Sequence, residues 1–173
     1  MRVFENNSMN KTSVTLPSIM LVGITGGRTS LVKEMNPSSA IIPPTLGRYF
    51  KLAAELAQIK QRTTPGVTYC VYTDYESNEH GEYTYFVGEQ VESFDNIPTG
   101  FDTLTIPAQH YAKFTTDAGQ MPKVCIDAWK AIWSMTPEQL GGKRNYQADF
   151  ELYDNRAADP SNTVLDVYIG ITR

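Results

Sequence analysis

The chain has 173 residues, 41% of them hydrophobic and 20% charged, with a formal net charge of −4. A chain of this size can bury roughly 70% of its unfolded surface, so wholesale disorder is excluded. The longest apolar runs, such as Ile19 to Val22, are far too short to cross a bilayer, and Lys and Arg form no cluster beyond Lys143-Arg144, which argues against a nucleic-acid binder.

The first residues, MRVFENNSMNKT, carry no apolar signal core, which sets the expectation of a cytoplasmic protein with no membrane partner. The sequons at Asn6 and Asn10 are then chance matches. The first strand is expected at Ile19 to Thr25, introduced by Leu16-Pro17-Ser18. Gly, Ser and Pro crowd the connection from Gly26 to Thr45, which reads as a loop or a lid. Leu46 to Gln61 reads as a helix, with Phe50, Ala53 and Ala57 at helical spacing and Leu52, Leu56 and Ile59 beside them. Two strands follow, Tyr69 to Thr73 and Tyr83 to Gly88, joined by the polar turn Glu76 to Gly81.

The pattern then repeats. Ile106-Pro107-Ala108 introduces a strand over Gln109 to Thr115. A helix is expected over Pro122 to Met135, with Val124, Ala128, Ile132 and Met135 on one face and Pro122 in the first turn, where a missing N–H does no harm. Phe150 to Asp154 matches the Tyr69 strand, and Leu165 to Gly170 matches the Tyr83 strand. The offset is 81 at Tyr72/Tyr153, 82 at Gly88/Gly170 and 90 at Pro17/Pro107. The fold class is therefore α+β: tandem duplicated β-α-β-β units with pseudo-twofold symmetry, a curved antiparallel sheet with helices on one face, and a cleft between the repeats. Repeat one spans about 13–91, the linker about 92–100 and repeat two about 101–173, within a single domain over 1–173.

Strand alternation locates candidate site residues. Phe150 and Leu152 share one face, and Glu151 and Tyr153 share the other. If the apolar pair faces the helices, Glu151 and Tyr153 face the groove, and the equivalent groove positions in the first repeat are Cys70 and Tyr72. A carboxylate among aromatic groups takes a proton, pairs with an internal base, or awaits a cation. Aromatic faces add cation–π attraction, and Tyr72, Phe86, Tyr153, Tyr168, Trp129 and Trp133 are candidate walls. On spacing alone, a solvated Glu151 on an exposed sheet face and ordinary packing of the aromatic residues are equally open.

Other chemistry finds little support. Gly23-Ile24-Thr25-Gly26-Gly27-Arg28-Thr29-Ser30 follows a strand but fits neither phosphate-binding glycine pattern, and no G-x-S-x-G elbow occurs. Cys70 and Cys125 lie in no C-x-x-C motif and read as reduced, buried thiols. His80 and His110 are the only histidines and neither has a second ligand at zinc-like spacing, so neither a metal nor a cofactor is expected.

The segments VYTDYESNEHGEYTYFVGEQV, IPAQHYAKF, AWKAIW, ADFELYD and DVYIGI, in that order, resemble the gyrase-inhibitor-like family. Its effector-binding domains are also joined to helix-turn-helix regulators of the AraC and MerR types. The resemblance runs from about Ser13 to Arg173 and implies the tandem fold, an aromatic cleft and an acidic residue that meets lipophilic cations. By its place in ADFELYD that residue would be Glu151. Twelve polar-rich residues precede Ser13, too few for a helix-turn-helix, so a stand-alone member without direct nucleic-acid binding is expected. The leading expectation is a binding domain for aromatic or amphiphilic, cationic small molecules. Two alternatives stay open. One is a hydrolase of reactive natural products using Glu151 with Tyr153 or Tyr72. The other is an interaction module whose partner is a regulator protein or DNA gyrase.

Overall fold

The computed structural model describes residues 9–173, so Asn6 and the residues around it lie outside the described part. The first half contains strands β1 (Asn10–Leu16) and β2 (Ile19–Thr29), helices α1 (Leu31–Glu34), α2 (Ile42–Lys51) and α3 (Ala53–Leu56), then β3 (Thr68–Thr73) and β4 (Tyr83–Gln90). The second half contains β5 (Asp102–Ile106), β6 (Gln109–Thr115), α4 (Lys123–Trp133), α5 (Pro137–Leu140), the short β7 (Lys143–Arg144), β8 (Ala148–Tyr153) and β9 (Asp166–Thr172). Each half thus opens with a strand that the sequence reading lacked. β5 starts directly after the expected linker, and β1 covers residues read as a polar lead-in.

All strands join one antiparallel sheet in the order β1-β6-β9-β8-β3-β4-β2-β5, with β7 beside β9. Exchanging each first-half strand for its second-half equivalent reverses this order and leaves it unchanged, as a pseudo-twofold axis requires. The first strand of each half is handed to the other: β1 pairs with β6, and β5 pairs with β2.

Connectivity forces the sheet to curl. β1 and β2 stand six strand spacings apart in the order, roughly 29 Å in a flat sheet. Only Pro17 and Ser18 link Leu16 to Ile19, a reach of about 11 Å at most. The β5–β6 link, Pro107-Ala108, makes the same demand. The sheet bends tightly where Gly23 opposes Gly88: a Cβ on Gly23 would lie 1.9 Å from the Val87 carbonyl oxygen.

The inside of the curl is one apolar cluster that unites both edges. It holds Leu16, Ile19 and Ile106 near the edges and Val71, Phe86, Phe150 and Tyr168 from the middle. Phe150 stacks on Tyr168 with ring centroids 4.4 Å apart. The helices pack on the outside, in two separate clusters. Tyr49, Leu56 and Ile59 of the first half cover Val22, Tyr85 and Val87. Ala128, Trp129 and Ile132 of α4 cover Phe114, Val167 and Ile169.

Three expectations need correction. Phe150 and Leu152 face the inside of the curl, and the helices share the Glu151 and Tyr153 face; both faces of the sheet are covered, so polarity alone did not tell them apart. The first helix begins earlier and breaks at Leu52, and its buried residues are Thr45, Tyr49 and Leu56, with Phe50 exposed. The connection from Gly26 to Thr45 is built from strand and helix and supplies one wall of a cleft. β2 continues through a bulge after Thr25, with Gly27 at φ 101°, and α1 follows with Ser30 as its N-cap. Among the described residues no helix is long and apolar enough to cross a membrane.

Candidate functional site

A curled sheet splays whatever packs on its outer face, and a cleft of about 480 Å³ opens between the helices of the two halves. Leu31, Glu34, Met35 and Ile42 form one wall, and Cys125, Ile126, Trp129, Lys130 and Trp133 of α4 form the other. Tyr72, Tyr75 and Tyr83 form the floor, and Glu79 and Arg144 close one end. The first wall is fixed through Glu34, whose carboxylate accepts the backbone N–H groups of Ile41 and Ile42 at 3.0 Å each and the Thr29 hydroxyl. That satisfies N–H groups at the α2 N-terminus and places negative charge where the helix dipole favours it.

Glu151 lies directly beneath the floor. Only 3% of it is exposed. Its Oε2 accepts the Trp129 indole N–H at 2.9 Å and the Tyr72 hydroxyl, and its Oε1 accepts the Tyr153 hydroxyl. The Tyr72 and Trp129 rings meet edge to face, 5.2 Å apart, between the carboxylate and the open cleft. All three donors are uncharged, and no cationic side chain pairs with Glu151 among the described residues. Burial, and then the Glu151 carboxylate, push the Tyr72 and Tyr153 phenols far above the usual range, so both remain proton donors. The same two causes raise the thiols of Cys70 and Cys125. Neither is an activated nucleophile.

The β3–β8 register gives Glu151 a singular position. It pairs directly with Cys70, and the offset of 81 makes Cys70 its equivalent in the first half. Any other equivalent pair, such as Tyr72 and Tyr153, is staggered along the ladder. The pseudo-twofold axis therefore passes through the Cys70–Glu151 pair.

One two-residue step back along β8, on the same face, Asp149 is fully buried. Its Oδ1 accepts the Gly170 N–H at 2.8 Å, and its Oδ2 accepts from the Tyr75 hydroxyl at 2.6 Å and from Arg144 Nη2 at 2.7 Å. Burial alone would lower the Arg144 guanidinium, but Asp149 beside it holds it raised. The guanidinium lies 4.5 Å from the centre of the Tyr146 ring, and the Tyr146 hydroxyl donates to Glu79.

Of the seven residues expected from sequence, Tyr72, Trp129 and Trp133 line the cleft, and Glu151 and Tyr153 lie behind Tyr72 and Trp129. Phe86 and Tyr168 are corrected: both belong to the cluster inside the curl, on the far side of the sheet. Period-two alternation on β4 pairs Tyr83 and Tyr85 with the Glu151 face and turns Phe86 away. Tyr75, Tyr83, Arg144, Glu79 and the whole first wall were not among the residues expected from sequence. Tyr83 was within reach of alternation, whereas the loop residues carry no local signal.

A model of the family described as "integron-associated effector binding protein" matches residues 14–171. A protein of Bacillus subtilis (strain 168), YobU, named as a candidate transcriptional regulator, is 33% identical over 103 residues, covering 60% of this chain. The chain spans 62% of the length of that relative. An integron cassette protein from the mobile metagenome of Vibrio cholerae superposes with a TM-score of 0.74 at 24% identity, over 97% of this chain and 100% of that one. A candidate transcription regulation protein from Staphylococcus aureus MU50 gives 0.72 at 15% identity, over 96% and 100%. A protein solved bound to tetraphenylphosphonium gives 0.66 at 16% identity, over 95% and 94%. At these identities the structural likeness is one of fold, and the fold is the tandem effector-binding arrangement the sequence resembles.

Proposed function

The chain belongs to the integron-associated effector binding protein family, and we propose that it holds an aromatic or amphiphilic organic cation in the cleft between the two halves. The observation that carries this reading is Glu151. It is a buried acidic side chain whose hydrogen-bond donors are all uncharged, and among the described residues it has no cationic partner. Two rings, Tyr72 and Trp129, stand between it and the cleft, so a cation resting on them gains both ring-face attraction and the charge behind. The apolar walls suit the ligand's hydrocarbon surface. The fold neighbour that holds tetraphenylphosphonium lends support to a lipophilic cation.

The test is calorimetric titration of wild type and Glu151→Gln with tetraphenylphosphonium and with a neutral tetraaryl analogue. The substitution keeps the shape and one acceptor oxygen, turns the other position into a donor that the Tyr153 or Tyr72 hydroxyl can accept by rotating, and removes the acidic group. Wild type should prefer the cation, and the variant should lose at least about tenfold in cation affinity, since a charged contact is worth about 1.5–3 kcal/mol. Equal affinity of the folded variant for the cation would overturn the reading. Progressive consumption of an electrophilic ligand beyond one equivalent would replace binding with hydrolysis.

A further inference from the structure

We propose that the Arg144–Glu79 end of the cleft is a second, polar subsite, which takes an uncharged hydrogen-bonding group, a carboxamide or hydroxyl, on the ligand's tail. It rests on the cation reading above, since it assigns the other end of the same ligand. Four observations converge. The Arg144 side chain is nine-tenths buried, lines the cleft, and has an Nε–H with no acceptor among the described residues. A buried guanidinium N–H without a partner is unfavourable; the Nε–H is itself covered, so a ligand acceptor would meet Arg144 through the part of its side chain that lines the cleft. Glu79 lines the same end and carries an acceptor. Burial would raise its carboxyl, but the Tyr146 hydroxyl bond, Arg144 and His80 hold it below the ordinary value.

Charge decides the class of the tail. Arg144 is already paired with Asp149 at 2.7 Å, and Glu79 stands free of any Arg or Lys ion pair among the described residues. A carboxylate tail would meet two acidic groups and one shared cation, which is repulsive on balance. A carboxamide accepts from Arg144 through its oxygen and donates to Glu79 through its nitrogen. The backbone adds a fourth sign: Tyr146, which links the two residues by ring and hydroxyl, sits at φ 53°, a left-handed conformation unfavourable for a non-glycine residue. Asp149 and Glu151 are two residues apart on one strand face, roughly 7 Å, so a short alkyl tail reaches from a cation over Tyr72 and Trp129 to Arg144.

The experiment compares three alkyltriphenylphosphonium probes whose tails end in methyl, carboxamide or carboxylate. Each is titrated into wild type, Arg144→Lys and Glu79→Ala, with melting temperatures recorded. Wild type should bind the carboxamide about tenfold tighter than the methyl probe, the size of one charge-assisted hydrogen bond, and should bind the carboxylate no tighter than the methyl probe. The carboxamide preference should fall to about one in both variants. Arg144→Lys keeps a cation for buried Asp149. Glu79 lies in a polar turn, so its variant decides the matter if the lysine variant does not fold. Equal binding of methyl and carboxamide probes to wild type overturns the polar subsite alone, as does a preference that survives Glu79→Ala. Failure of all three probes to bind wild type overturns the cation reading and this inference with it.

Discussion

Cys70 and Glu151 face each other across neighbouring central strands and are at the same time the equivalent positions of the two halves. In a perfect duplicate the pair would be two thiols or two carboxylates in direct opposition. Two buried carboxylates there cannot both be ionised without strong repulsion. The halves differ at this pair, so the axis carries one carboxyl group and not two.

That asymmetry can be undone. Cys70→Glu should lower stability by about 2–4 kcal/mol, because one of the two carboxyls must be buried with a proton. Cys70→Ser should cost less than about 2 kcal/mol. Denaturant melts of both variants at neutral pH give the comparison. A Cys70→Glu protein as stable as wild type would contradict the placement of this pair.

Both tryptophans of the chain stand at the cleft, with ring centroids 6.2 Å apart on α4. An aromatic cation entering the cleft should therefore change most of the indole emission. Trp133 is 38% exposed. Trp133→Ala should lower stability by only about 1 kcal/mol while weakening ligand binding by about tenfold, through lost ring-face and apolar contact. Fluorescence titration, with thermal melts alongside, measures both.

Phe86 and Tyr168 make the opposite prediction. They pack inside the curl, away from Glu151. Phe86→Leu and Tyr168→Leu should each lose about 1–3 kcal/mol of stability. Cation affinity of the folded protein should stay within about twofold of wild type. A selective loss of affinity at unchanged melting temperature would return them to the binding site.

Burial raises the phenols of Tyr69, Tyr111 and Tyr168 to about 12 from the ordinary 10.0, and those of Tyr72, Tyr85 and Tyr153 further. The sign follows from proton binding. Above pH of about 10 the unfolded chain releases phenol protons that the folded chain keeps, so the stability present below that value falls as pH rises. Denaturant melts at rising alkaline pH should show the decline between about 10 and 12, with tyrosinate absorbance appearing together with unfolding.

What repeats and what alternates is legible in the sequence. The Gln109–Thr115 strand is as expected, the other core strands deviate by only a few residues, and Glu151 and Tyr153 share one sheet face with their equivalents Cys70 and Tyr72. β1 and β5 are not legible there, because edge strands are exposed on much of their surface and carry little apolar signal. The wrong sheet face was chosen for the helices because the inner and outer faces are both buried, which removes the polarity contrast on which alternation depends. The first wall of the cleft was beyond reach for a different reason. Its shape is set by Glu34 reaching to Ile41 and Ile42, a local capping contact with no periodicity.

The exchange of β1 and β5 between the halves makes the molecule a clasp. A cut in the 92–100 stretch would yield two fragments, each holding out a strand that only the other can receive. Each would also carry one wall of the cleft. A ligand bridging those walls would grip both fragments at once, so its occupancy would report whether the clasp is shut.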